Sequence, residues 1–137
     1  MIFLGIFDNI FKNSTKKQKS TDVIDWPKYV VTLDEKSFDN FIQNYPISVV
    51  DFWASWCAPC KAMAPRIRQV SYMYQGKVAF GKLDTQECQG IAKKYKIMSI
   101  PQLIFFCYGK KVATLTGVQS VGSIKDVIED LIKKRNS

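Results

Sequence analysis

The sequence predicts an α/β domain built on a mixed five-stranded sheet with helices on both faces. Three observations predict it. Strand-like and helix-like segments alternate in the order βαβαβαββα from Trp26 onward. The run Ile47–Ala54 (ISVVDFWA) is dense in apolar, β-branched and aromatic residues, as a strand covered on both faces should be. The last two strand-like segments are separated only by a tight turn at Gly109, which makes them antiparallel. The early βαβ crossover makes the first pairings parallel.

Taken in order, Tyr29–Leu33 reads as a short strand. Asp34 can cap a helix over Lys36–Asn44, whose Phe38, Phe41 and Ile42 share a face. After the central strand, a long helical pattern runs from Cys57 to about Tyr74 and Gly76 ends it. Lys77–Leu83 is the next strand, and residues 87–95 a short helix. Leu103–Tyr108 and Lys111–Thr116 are the final strands. An amphipathic helix over Ile124–Lys134 closes the chain, with Ile124, Val127, Ile128, Leu131 and Ile132 on its inner face.

The 137 residues suit one domain, and no apolar stretch in the sequence approaches the roughly 20 residues of a membrane-spanning helix. Residues 1–25 read as an N-terminal extension and 26–137 as the domain. In the extension, Ile2, Phe3, Ile6, Phe7, Ile10 and Phe11 fall at helical spacing and a basic run follows them. Lysines placed after the apolar run, and Asp8 within it, argue against a secretory signal. A helix packed on the domain or a loose extension is favoured over contact of residues 1–20 with a membrane surface.

The net charge of +8 divides into +3 in residues 1–20 (Lys12, Lys16, Lys17 and Lys19 against Asp8) and +5 elsewhere. Those remaining lysines are scattered, which suits solvated helix faces better than a nucleic-acid surface. Histidine is absent, so no Cys–His or Ser–His relay exists, nor any zinc site using imidazole. Nucleophilic chemistry has to rest on Cys, Lys or a carboxylate.

Of the four cysteines, only Cys57 and Cys60 have motif spacing. Trp56-Cys57-Ala58-Pro59-Cys60-Lys61 follows the central strand and opens a helix. Unpaired N–H groups at a helix start stabilise a thiolate, so Cys57 is a candidate nucleophile. Two intervening residues leave the sulfurs within disulfide reach, and Pro59 suits a first helical turn. Cys57 is expected nearer the surface, with Cys60 one turn deeper. Half of a zinc site is the competing reading, but Cys88 and Cys107 do not supply a second C-x-x-C.

The stretch Val50-Asp51-Phe52-Trp53-Ala54-Ser55-Trp56-Cys57-Ala58-Pro59-Cys60-Lys61 closely resembles the active-site region of the thioredoxin family. Pro65, Lys82, Ser99-Ile100-Pro101, Gly109 and Gly117 extend the resemblance over about Tyr29 to Lys134. It implies the thioredoxin fold and a protein-disulfide reductase. Asp51 would shuttle the proton of Cys60, with Lys82 as its partner. Pro101 would be cis and lie against the cysteines. Trp56, Ala58, Pro59, Ile100, Pro101, Thr116, Gly117 and Val118 would ring the substrate groove. Trp53 would pack beneath the site and Pro65 would kink the long helix.

No metal or separate cofactor is implied, because the redox centre is the Cys57–Cys60 pair itself. The implied partners are disulfide-containing proteins and a thioredoxin reductase or similar electron donor. The resulting expectation is a cytoplasmic monomer. Two positions depart from the family pattern. Ala58 stands where glycine is commonest, and Gln102 where threonine often follows the proline. Ala58 therefore bears on redox poise, although the missing histidine before Cys60 favours a reductant. Cys88 and Cys107 read as apolar filling or inert thiols.

Overall fold

The computed structural model describes residues 23–137. The N-terminal apolar and basic runs lie outside them, so the readings made for residues 1–20 concern sequence only. The described chain forms β1 (Val31–Leu33), α1 (Phe38–Asn44), β2 (Ser48–Trp53), α2 (Ala58–Met73), β3 (Ala79–Asp84), α3 (Gln89–Lys94), β4 (Gln102–Cys107), β5 (Lys110–Thr116) and α4 (Val121–Asn136).

The sheet order is β1-β3-β2-β4-β5. β3 is parallel to both β1 and β2, whereas β4 is antiparallel to β2 and to β5. The predicted mixed sheet is therefore present. Side-chain alternation along the strands divides the core into two layers. Val49, Phe80, Leu103 and Phe105 pack with Met63, Ile67 and Val70 of α2 and with Ile124, Ile128 and Leu131 of α4. Val50, Phe52, Ile104 and Phe106 pack on the opposite side with Phe38, Phe41 and Ile42 of α1 and Ile91 of α3. Val127 and Ile132 are only partly buried, at the margin of the α4 stripe.

Element ends differ from the sequence reading by one to three residues, for identifiable reasons. The chain around Tyr29 stays exposed, and β1 begins only at Val31, where it meets Gly81 of β3. Asp34 accepts the backbone N–H groups of Lys36 and Ser37 at 2.9 and 2.8 Å, which holds a turn there and delays α1 to Phe38. The Ser120 hydroxyl accepts the Ser123 N–H at 3.0 Å, so α4 starts at Val121, three residues before the apolar stripe. α2 runs unbroken through Pro65.

Gly109 turns β4 into β5 with φ +87°, and a Cβ placed there would lie 2.9 Å from the Gln43 Cγ. Gly109→Ala is therefore expected to cost about 1–2 kcal/mol, read as a lower midpoint in urea at unchanged slope. Gly81 has a different constraint. A Cβ there would meet Leu33 Cδ1 at 2.7 Å and Phe41 Cε2 at 3.2 Å, so a bare backbone lets β1 and α1 close over β3.

Candidate active site

The carboxyl ends of β2 and β3 and the amino end of β4 meet at one pole of the sheet. β2 stops at Trp53, and the turn Ala54–Trp56 delivers the chain into α2. Cys57 is the N-cap of that helix, with an extended backbone. Its N–H donates to the Ala54 carbonyl at 3.1 Å, and its own carbonyl accepts the Lys61 N–H at 3.2 Å. Its sulfur accepts the Cys60 N–H at 3.2 Å. The sulfur thus occupies the place a serine or aspartate oxygen takes in an ordinary cap, where positive partial charge favours a thiolate. Ala58 and Pro59 fill the next two positions, and Pro59 lacks only an N–H that the helix would not use.

Cys57 and Cys60 form a disulfide with Cα atoms 5.3 Å apart. They are 4% and 3% exposed, so the expected difference in depth is not present in this closed form. The reason is local packing. Both cysteines belong to one small cluster with Ala54, against which Trp53 and Ile100 pack. The Cys57 sulfur also lies 3.9 Å from the Ile100 carbonyl oxygen.

Asp51 and Trp53 alternate with Val50 and Phe52, which puts them on the sheet face that carries α2. Asp51 is 5% exposed and its Oδ1 has no hydrogen-bond partner. Burial pushes its carboxyl up to about 7, and the positive charge of Lys82 offsets that only in part. Lys82 is the register partner of Asp51 on β3, but its ammonium sits over the Trp53 ring, 5.5 Å from the centroid. The Lys82–Asp51 relation is thus through space, with the indole as the direct contact of the lysine. Neither the Lys82–Trp53 stacking nor the Ile100 carbonyl against Cys57 was legible in the sequence, since both depend on strand register.

The Ile100–Pro101 peptide is cis, as the resemblance implied, and Pro101 is buried. The Gly117 N–H donates to the Pro101 carbonyl at 2.8 Å, which brings the end of β5 to the same rim. Gly117 has φ +85° and open space where a side chain would stand. Arg66 of α2 donates to the Gln119 carbonyl at 2.8 Å and fixes the following loop. Around the dithiol, Trp56, Ala58, Pro59, Thr116 and Val118 are exposed, and Ile100 and Gly117 half-buried. Met98, two residues before Ile100, is also exposed; its apolar character carried no sign of that in the sequence.

The other cysteines are separate from this pair. Cys107 lies in the α2–α4 core layer and Cys88 in the α1–α3 layer. Burial pushes the Cys107 thiol up to about 12. The Cys88 thiol is raised by burial first, then by Glu35, Asp34, Asp84 and Glu87. Among the described residues, no three His, Cys, Asp or Glu side chains are grouped to hold a metal ion.

The thioredoxin family model matches residues 29–130 of the chain. The chain belongs to the thioredoxin family. A thioredoxin from Staphylococcus saprophyticus is 40% identical over 100 residues, which cover 73% of the chain and 95% of that protein. A chloroplastic M-type thioredoxin from spinach, Spinacia oleracea, is 37% identical over 120 residues. That match covers 87% of the chain but 65% of the spinach protein. Among solved structures, a mutant thioredoxin from Halobacterium salinarum superposes with a TM-score of 0.73 at 26% identity, covering 78% of this chain and 94% of that one. A thioredoxin from Plasmodium falciparum gives 0.69 at 33% identity, with 74% and 98% covered. The thioredoxin fold is thereby established, and the chain is a thiol–disulfide oxidoreductase of the thioredoxin type with its C-x-x-C dithiol at Cys57 and Cys60. Family membership implies protein disulfides as substrates and a reductase as donor.

Proposed function

We propose that the chain reduces protein disulfides with Cys57 as nucleophile, Cys60 as resolving thiol and Asp51 as the group that takes the Cys60 proton. The observation that carries this reading is the Cys57 sulfur at the α2 N-cap, with the Asp51 Oδ1 buried and unpartnered on the same sheet face as α2. In the reduced protein, the Cys57 thiolate attacks one sulfur of a substrate disulfide. The other substrate sulfur leaves as a thiolate and takes a proton from water. Cys60 passes its proton to the Asp51 carboxylate and attacks the Cys57 sulfur. The second substrate thiolate departs, and two electrons have moved from the dithiol to the substrate. A carboxyl near 7 suits this task, being part ionised at neutral pH.

Lys82 sets the charge around Asp51 from its place on the Trp53 ring. Trp56, Ala58, Pro59, Ile100, Pro101, Thr116, Gly117 and Val118 form the groove that receives an extended substrate segment. Trp56, at 66% exposure, is more open than Val118 at 47%. The donor that restores the dithiol is a flavin-dependent thioredoxin reductase or a similar enzyme, and the setting is a cytoplasmic monomer. Among the described residues, no helix is long and apolar enough to cross a membrane.

The division of labour is tested by trapping. Cys60→Ala should accumulate a reductant-sensitive mixed disulfide between Cys57 and insulin, and Cys57→Ala should not. Trapping through Cys60 instead would reverse the assignment. Equilibration with glutathione reads the poise left open by Ala58. A reductant should remain largely in the disulfide form even where glutathione is mostly reduced.

A further inference from the structure

The loop that joins β5 to α4 is clamped by side chains of α2. β5 ends at Thr116 and α4 starts at Val121, so residues 117–120 connect them. The Gln119 N–H donates to the Met63 sulfur at 3.2 Å, and the Gln119 carbonyl accepts a hydrogen bond from Arg66 Nη1 at 2.8 Å. Both backbone polar groups of one loop residue are therefore tied to α2. Met63 and Arg66 are three residues apart, a spacing that makes them neighbours on one side of the helix. Met63 is fully buried and Arg66 half-buried, so the clamp runs from the core out to the loop.

The same loop is closed on itself and tied to the cis-proline. Gln119 Nε2 donates to the Thr116 carbonyl at 2.9 Å, and the Gly117 N–H donates to the Pro101 carbonyl at 2.8 Å. Between these anchors stand Gly117, with open space where a Cβ would be, and Val118, which is exposed. The backbone is thus held at Gly117 and Gln119, while the space over Gly117 stays free. A hydrogen bond from a guanidinium is stronger than a neutral one, whereas a thioether is a weak acceptor. Arg66 is accordingly the stronger half of the clamp.

We propose that Arg66 is a positioning residue for substrate binding, which presets the Gly117–Val118 wall of the groove before a substrate arrives. The inference rests on the proposed role of that wall in receiving protein substrates. Ordering a loop on binding subtracts from affinity, so a wall fixed beforehand binds more tightly. Arg66 lies nine residues along the chain from Cys57, about 13 Å at the rise of an α-helix. The attack by the Cys57 thiolate does not need it. A protein substrate that spans the groove should therefore depend on Arg66, and a small disulfide that meets only Cys57 should not.

The test compares the unaltered chain, Arg66→Leu and Arg66→Lys, each reduced beforehand, in their oxidation by insulin and by dithionitrobenzoate, a small aromatic disulfide. The dithiol that remains is trapped by alkylation at intervals. Arg66→Leu should raise the half-saturating insulin concentration about three- to tenfold, with the limiting rate unchanged. Its rate with dithionitrobenzoate should equal that of the unaltered chain. Arg66→Lys keeps a charged donor for the Gln119 carbonyl and should restore most of the insulin affinity. Equal insulin saturation by Arg66→Leu and the unaltered chain would overturn the inference, as would Arg66→Lys behaving like Arg66→Leu. A parallel loss with both disulfides would overturn it in favour of a general effect on the fold, which near-UV circular dichroism would register. If insulin failed to oxidise even the unaltered chain, the groove reading itself would fall, and this inference with it.

Discussion

Cys57→Ser is expected to lower insulin-disulfide reduction to the uncatalysed background, a drop of about a thousandfold or more. No other group can replace the lost thiolate. The chain has no histidine to activate the serine, and a hydroxyl at a helix N-terminus remains protonated at neutral pH. Cys88 and Cys107 cannot substitute, because both are buried in other core layers with thiols pushed upward. The fold should persist in the variant, since a serine oxygen can accept the Cys60 N–H as the Cys57 sulfur does. Turnover by Cys57→Ser comparable with the unaltered chain would remove the basis of the catalytic assignment.

Asp51→Ala is expected to stabilise the oxidised protein, by an amount that depends on pH. The sign follows from linkage. The Asp51 carboxyl titrates near 3.8 in the unfolded chain and near 7 in the fold. Below about 3.8 it is protonated in both states and does not alter stability through titration. As pH rises toward 7, the unfolded chain releases the proton while the folded chain keeps it, so the fold is progressively destabilised. Above about 7 the penalty is constant, on the order of 4 kcal/mol. Urea unfolding of both proteins between pH 4 and 8.5 measures the difference. The advantage of Asp51→Ala should grow through that range and level off above 7. A difference independent of pH would mean that the carboxyl is not held in its protonated form by burial.

These two effects come from opposite demands on one site. Cys57 needs a polar, positively biased helix terminus, whereas Asp51 needs to be cut off from water. The sheet supplies both. β2 carries Asp51 on the face covered by α2, and the chain leaves the sheet after Trp53 to begin that helix at Ala58, with Cys57 as its N-cap. The stability lost at Asp51 is the cost of burying a carboxyl on the sheet face that α2 covers.

Much of this was legible in the sequence. The dense apolar run Ile47–Ala54 marked a buried strand, and Asp51 within it was conspicuous as an acid among apolar residues. The turn at Gly109 and the inner stripe of α4 were also readable, because local conformation and periodicity set them. Element ends were less so, since Asp34 and Ser120 act through hydrogen bonds whose geometry needs the folded chain. Lys82 was legible as a neighbour of Asp51 on the adjoining strand, but its place over Trp53 was not. The near-equal burial of the two cysteines was likewise hidden, since Trp53 at the end of β2 and Ile100 in the turn before β4 pack against them.

By itself, the sequence determined the βαβαβαββα order, the position of Cys57-Ala58-Pro59-Cys60 at a helix start and the want of any histidine relay. Those are properties of neighbouring residues, governed by backbone preference and side-chain period. The tertiary structure decided how deep the thiols lie, what Lys82 touches and why Gly81 has no side chain. Each of these depends on register between strands or on which helix covers which face, and long-range packing alone fixes those relations.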